Sequence, residues 1–200
     1  MGYLTEIVDN IIIMPKSKFI INPAFDIVIE VQKLFKEEDI QEYEKVNHAL
    51  KMFVKNDWNL RLLSNAEKVS LLDEIGNRYV KVKKRPKTRK SQVPILDFEE
   101  DGDYIYASFM QDYHIDLIDK QGKLPWKKFL FLFNGLSSET KIKQVMRIRE
   151  MEIPQPNGKN QKQIQEILEL KSYYALPVKG GGGQSGLDML FSALEGMAKH

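Results

Sequence analysis

The chain has 200 residues, 42% of them hydrophobic and 29% charged, with a formal net charge of +2 and no cysteine. That balance suits a soluble globular chain of one ordinary domain, or one domain plus appendages, and exerts no global pull toward nucleic acid or acidic lipid. The missing thiols exclude disulfides and thiolate metal sites and fit a reducing cytoplasm, and with no run of about 18 apolar residues no membrane span is expected. The opening MGYLTEIVDNIIIM lacks the basic region and long apolar run of a secretory signal. No internal repeat is evident.

In chain order, Ile11 to Met14 and Phe19 to Ile21 are short β-branched or aromatic runs around Pro15-Lys16-Ser17-Lys18, which reads as a small hairpin. Alone it would be marginal and must lean on helices or a partner. Pro23 opens a helix expected to reach Glu38, with Ile27, Val28, Val31, Leu34 and Phe35 inward. Asp39 is placed to cap a second helix that carries Tyr43, Val46, Leu50, Phe53 and Val54 on one side. Ser64-Asn65-Ala66-Glu67 is a capping-box pattern ahead of Val69, Leu72 and Ile75, which predicts a third. Residues 1–80 are therefore expected to form a hairpin plus helices. Residues 81–96 follow as a basic, proline-marked linker, KVKKRPKTRK and then SQVP, with no apolar face.

Residues 97–177 are expected to form a helical core. Tyr106, Phe109, Met110 and Tyr113 recur at i, i+3, i+4 and i+7; Trp126, Phe129, Leu130 and Phe133 repeat the pattern; Ile142, Val145 and Met146 begin it again. This spacing predicts three amphipathic helices with facing stripes. Asp101 and Asp103 stand where an N-cap and first-turn carboxylates would be, Pro125 suits a first turn, Gly135 a stop, and Ser137 a cap. A further helix, Lys162 to Ala175, has Ile164, Ile167, Leu168, Lys171 and Tyr174 along one side. Residues 178–200 read as a tether of four glycines followed by a short terminal helix striped by Leu187, Leu190, Phe191 and Leu194. The fold class is accordingly mainly α: a helical bundle with a small N-terminal β-hairpin and a tethered C-terminal amphipathic helix.

No pattern signals catalysis. Asp97, Glu99, Glu100, Asp101 and Asp103 supply the oxygen ligands a hard metal wants, but no second ligand cluster accompanies them, and a helix N-terminus accounts for the charge. His48, His114 and His200 are scattered, without triad order or paired zinc spacing. Gly180 to Gly183 lack the lysine-plus-hydroxyl ending of a phosphate loop. The run Lys81 to Lys90 could neutralise phosphates but has no interleaved aromatics, so a solvated loop is the better account. No catalytic, cofactor-binding or metal residue is assigned, and no enzyme activity or cofactor is expected. The apolar arm beyond the glycines invites a groove, its own or a partner's.

The central stretch resembles the family named after phage gene product fifteen, found in long-tailed phages and prophages of Gram-positive bacteria. The resemblance rests on Asp97, Phe98, Asp101, Tyr104, Ile105, Tyr106, Phe109, Tyr113, Ile115, Asp116 and Leu117, which match its leading motif. Further matches are Leu124, Trp126 and Phe129, then Gly135, Leu136, Thr140 and Lys141, then Arg149, and the closing Tyr174 to Pro177. His114 stands where the family commonly has glycine, as does Arg147, and Pro125 and Lys127 replace residues often seen as His and Trp. The strong part covers Asp97 to Pro177; the N-terminal half agrees in its layout of hairpin then helices.

The resemblance implies a tail assembly chaperone that keeps the tape measure protein soluble in the host cytoplasm, aids polymerisation of the tail tube protein, and is absent from the mature virion. Self-association is compatible with that role; a membrane partner is not expected, and nucleic acid is disfavoured. The partner-binding residues nominated are Tyr106, Phe109, Tyr113, Trp126 and Phe133, together with Leu187, Leu190, Phe191 and Leu194. The alternative is a nucleic-acid-associated phage accessory factor using the basic linker.

Overall fold

The computed structural model describes residues 9–82, 94–157 and 159–177. The fold is mainly helical with one small antiparallel hairpin, as expected. The predicted glycine tether and terminal helix lie outside the described residues, as does the basic run from Lys83 onward. Packing divides the described chain into two units: residues 9–82 with Gln121–Phe129, and residues 94–120 with 130–157 and 159–177. The expected continuous core of 97–177 is thus interrupted, because Gln121–Phe129 packs with the first unit.

In the first unit, β1 (Ile11–Met14) pairs antiparallel with β2 (Ser17–Ile20) across Pro15-Lys16. Ile12 and Phe19, partners in the register, point inward and are buried. The hairpin leans on helices, as a lone two-stranded ribbon must. α1 (Phe25–Lys36) buries Phe25, Val28, Val31, Leu34 and Phe35, leaving Ile27 half-buried. α2 (Glu42–Phe53) begins later than Asp39 suggested; its N-cap is Gln41, which makes no side-chain cap bond. Val46, Leu50 and Phe53 face inward while Tyr43 is exposed. A 3-10 turn, Asp57–Leu62, leads to α3 (Asn65–Ile75). The capping box is formed: Ser64 Oγ accepts from the Glu67 N–H at 3.3 Å, and Glu67 Oε2 accepts from the Ser64 N–H at 2.7 Å. α3 runs on into a π-helical stretch, Gly76–Val80, that buries Tyr79 and Val80.

The segment Gln121–Phe129 docks on α1 through backbone bonds, Phe25 N–H to the Leu124 carbonyl at 3.0 Å and Trp126 N–H to the Pro23 carbonyl at 2.8 Å. Gly122 takes φ +66°, and its N–H reaches Asp26 Oδ1 at 2.9 Å; a side chain there would be strained. α5 (Trp126–Gly135) starts in this unit and continues past Phe129 into the other.

In the second unit, α4 (Gly102–Tyr113) and α6 (Lys141–Glu150) pack together, and α7 (Gln161–Tyr173) follows on α6. The buried face of α4 is Ile105, Ser108 and Phe109, a rotation of about one residue from the predicted stripe; Tyr106, Met110 and Tyr113 are half-buried. Polar demand explains the turn. Ser108 Oγ accepts from the Ile142 N–H at 3.1 Å, satisfying an orphan donor of the first turn of α6 from a neighbouring helix. Ser137, the expected cap of α6, instead gives its N–H to Asp112 Oδ2 at 2.7 Å; Thr140 takes the N-cap position.

Candidate functional site

The second unit is organised by one buried ion pair. Arg149, near the end of α6, presents a planar fork to Asp101, which precedes α4: Nη1 to Oδ2 at 2.7 Å and Nη2 to Oδ1 at 2.8 Å. Both side chains are almost wholly buried, 6% and 1% exposed. The same guanidinium gives Nη1 to the Ile95 carbonyl at 3.0 Å and Nε to the Tyr174 carbonyl at 2.6 Å. Asp101 Oδ2 also accepts from the Asp97 N–H at 2.9 Å. Asp101 therefore does not cap α4 with its side chain, contrary to expectation. Its carboxylate is committed to arginine, the residue type whose geometry suits bidentate pairing.

The carboxylates of Asp97 and Asp103 are likewise committed locally. Asp97 Oδ1 accepts from the Glu99 and Glu100 N–H groups at 2.9 and 3.3 Å, and Asp103 Oδ1 from the Tyr104 N–H at 2.8 Å. Among the described residues no group of three or more His, Cys, Asp or Glu is placed to hold a metal ion, and no helix is long and apolar enough to cross a membrane. His48 is exposed on α2; His114 ends α4 in the left-handed region, φ 53°. His200 lies outside the described residues.

The nominated aromatic residues do not gather into a surface. Phe109, Trp126 and Phe133 are 0%, 0% and 4% exposed. Trp126 stacks with Phe129, which stacks on Phe25, all in the first unit. Phe133 meets Phe98 edge-on in the second. These three are core, as large aromatics at helical spacing usually are. Tyr106 and Tyr113 are half-buried, with hydroxyls donating to Asp116 Oδ2 at 3.2 Å and the Leu132 carbonyl at 3.0 Å. Burial first, and then the nearby Asp116 and Asp112 carboxylates, push both hydroxyls above their ordinary range, so they remain protonated donors at neutral pH. Gly135 makes room for Tyr113: a Cβ there would lie 2.9 Å from its Oη. Leu187, Leu190, Phe191 and Leu194 lie outside the described residues.

Apolar side chains stand open in this unit at Ile118 and Phe131, and on α7 and the loop before it. α7 buries none of its residues. Ile164 and Ile167 are half-buried, whereas Leu168, Leu170 and Tyr173 are 47%, 42% and 77% exposed, with Ile153 at 45%. Polar bonds hold the helix where apolar burial does not. Lys171 Nζ donates to the carbonyls of Ile148, Arg149 and Met151, the C-terminal end of α6. Lys141 Nζ donates to Tyr174 Oη at 2.7 Å and sits 4.8 Å over that ring; the Tyr174 hydroxyl raises the lysine above its ordinary range, against the pull of burial. Sequence reasoning missed Leu170 and Tyr173 because they fall off the heptad-like stripe. Their signal was an apolar residue on the side of a helix that should have been polar.

Compared with known proteins, the chain matches the family described as Bacteriophage Gp15 protein over residues 6–176. No curated protein and no solved structure matches it. The match spans both units and runs from just before the hairpin to the turn after α7, so the chain belongs to the bacteriophage Gp15 family.

Proposed function

We propose that this phage protein is a tail assembly chaperone that binds the tape measure protein in the host cytoplasm, keeps it soluble, aids tail tube polymerisation, and does not remain in the finished particle. What carries the reading is the family match over residues 6–176, set beside the tail assembly role that the resemblance of Asp97 to Pro177 implies. A helix bundle with a loosely covered helix is suited to the task. Apolar residues on α7 can cover an apolar stripe of another helix at about 25 cal/mol per Å² of surface removed from water. Many such weak contacts along a long chain add together yet release singly. The contact surface of this proposal is Leu170 and Tyr173, exposed apolar side chains three residues apart on one side of α7. Co-expression with the tape measure protein of the same phage tests the reading. The tape measure protein is expected to shift to the soluble fraction and to co-purify with this chain; equal insolubility with and without it would remove the proposal.

A further inference from the structure

We infer that the outer edge of β1 is a self-association site, taking the same edge of a second copy of this chain as an antiparallel strand. The hairpin has two long edges, and they are treated differently. Met14 and Ser17 flank the two-residue turn and pair in the register, so Ile11 and Ile13 on β1, and Lys18 and Ile20 on β2, turn their backbone groups outward. On β2 three of these four groups are taken. The Asn56 side chain accepts from the Ile20 N–H at 2.8 Å and donates to the Lys18 carbonyl at 2.7 Å, as a neighbouring strand would. The Lys55 N–H closes the Ile20 carbonyl at 2.9 Å. On β1 the Ile11 carbonyl receives Arg78 Nη1 at 3.0 Å, while both backbone groups of Ile13 have no partner among the described residues.

Hydrogen-bonding backbone selects an extended strand as its occupant. The sequence of the edge selects which strand. Ile11-Ile12-Ile13-Met14 carries no charge, no proline and no bulge, the devices by which strands repel their own copies. An edge that faces itself across a two-fold axis must be self-complementary, and a run of isoleucines is. With Ile11 opposite Ile13 of the second copy, both residues exchange backbone bonds on each side of the axis; the Ile11 carbonyl keeps a second lone pair beside Arg78. On the outer face, Ile13 at 79% exposed and Ile20 at 43% would join their counterparts in one four-stranded sheet. Pairing over so few residues is small for a stable interface, which makes the association weak and concentration-dependent.

The test is sedimentation of the full chain over a concentration series, with amide exchange read at Ile13. A monomer–dimer equilibrium is expected, with protection of the Ile13 N–H rising as the dimer fills. Ile13→Lys is expected to weaken the dimer about tenfold or more while leaving the melting temperature unchanged, because that side chain already faces water. A monomer at every concentration, a dimer indifferent to Ile13→Lys, or an Ile13 amide exchanging fast in the dimer would each overturn the inference. So would protection that stays complete at dilutions where sedimentation finds a monomer, since the edge would then be covered within one chain. Exchange in the unsubstituted protein decides the matter even if the lysine variant fails to fold.

Discussion

Arg149 joins three stretches of chain through one guanidinium: the Ile95 carbonyl, the Asp101 carboxylate and the Tyr174 carbonyl. A buried pair of this kind adds little net stability over an apolar isostere, but removal of one partner strands the other charge. Arg149→Met is therefore expected to cost about 3–5 kcal/mol, and Arg149→Lys to be no conservative change, because lysine has no fork and no Nε to reach Tyr174; denaturant unfolding of each variant checks this. His114 offers the opposite case. Its N–H caps α4 by donating to the Met110 carbonyl, and its φ of 53° is where glycine pays no Cβ penalty. His114→Gly puts glycine at this left-handed cap and is expected to stabilise by about 0.5–1 kcal/mol after the entropy of the unfolded glycine is set against the relieved strain. The Asp101–Arg149 pair was not legible in the sequence. Both residues were in the motif, yet they are far apart in sequence, and nothing in local spacing tells a capping aspartate from one drawn to a distant arginine.

At the scale of elements, what local chemistry decides was legible and what tertiary contacts decide was not. The hairpin, the capping box of α3 and the order of helices followed from residue spacing. The caps of α2 and α6, the rotation of α4 and the π-helical run after α3 did not, because each answers to a neighbour: Ser108 turns inward to serve α6, and Ser137 is taken by Asp112. The box has a pH signature. The Ser64 N–H, then Lys16 and the Ser64 hydroxyl, hold the Glu67 carboxyl down to about 2. A folded-state value below the unfolded one means that the unfolded chain binds the proton first. The contribution of ionised Glu67 is thus complete above its ordinary value of 4.5 and is lost as pH falls toward about 2. The melting temperatures of the native chain and Glu67→Gln should converge over that window; a gap that stays constant would contradict it. α7 should be the least protected helix of its unit in amide exchange, since it buries no residue and is held by polar bonds. Lys171→Met, which frees the carbonyls at the end of α6, should raise exchange in α7 further and leave α4 unchanged.

For the whole molecule, the sequence pointed to the right architecture and family, while three of the aromatics it nominated for a partner belong to the core. Helical spacing identifies apolar faces without saying whether a face meets the core or water, and large aromatics satisfy the core first. Phe109, Trp126 and Phe133 went inward; the lesser apolar residues of α7 stayed out. Gln121–Phe129 shows the same limit for domain boundaries, since a segment read as part of the 97–177 core is held by the backbone of Pro23 to Phe25. The proposed chaperone role, with α7 as its contact surface, makes a direct demand. Co-expressed with the tape measure protein, a Leu170→Glu/Tyr173→Glu double variant should fold as the native chain does, because both side chains are exposed. The soluble yield of the tape measure protein should then fall to the level seen with no chaperone present. A folded double variant that keeps the tape measure protein as soluble as the native chain does would contradict the account.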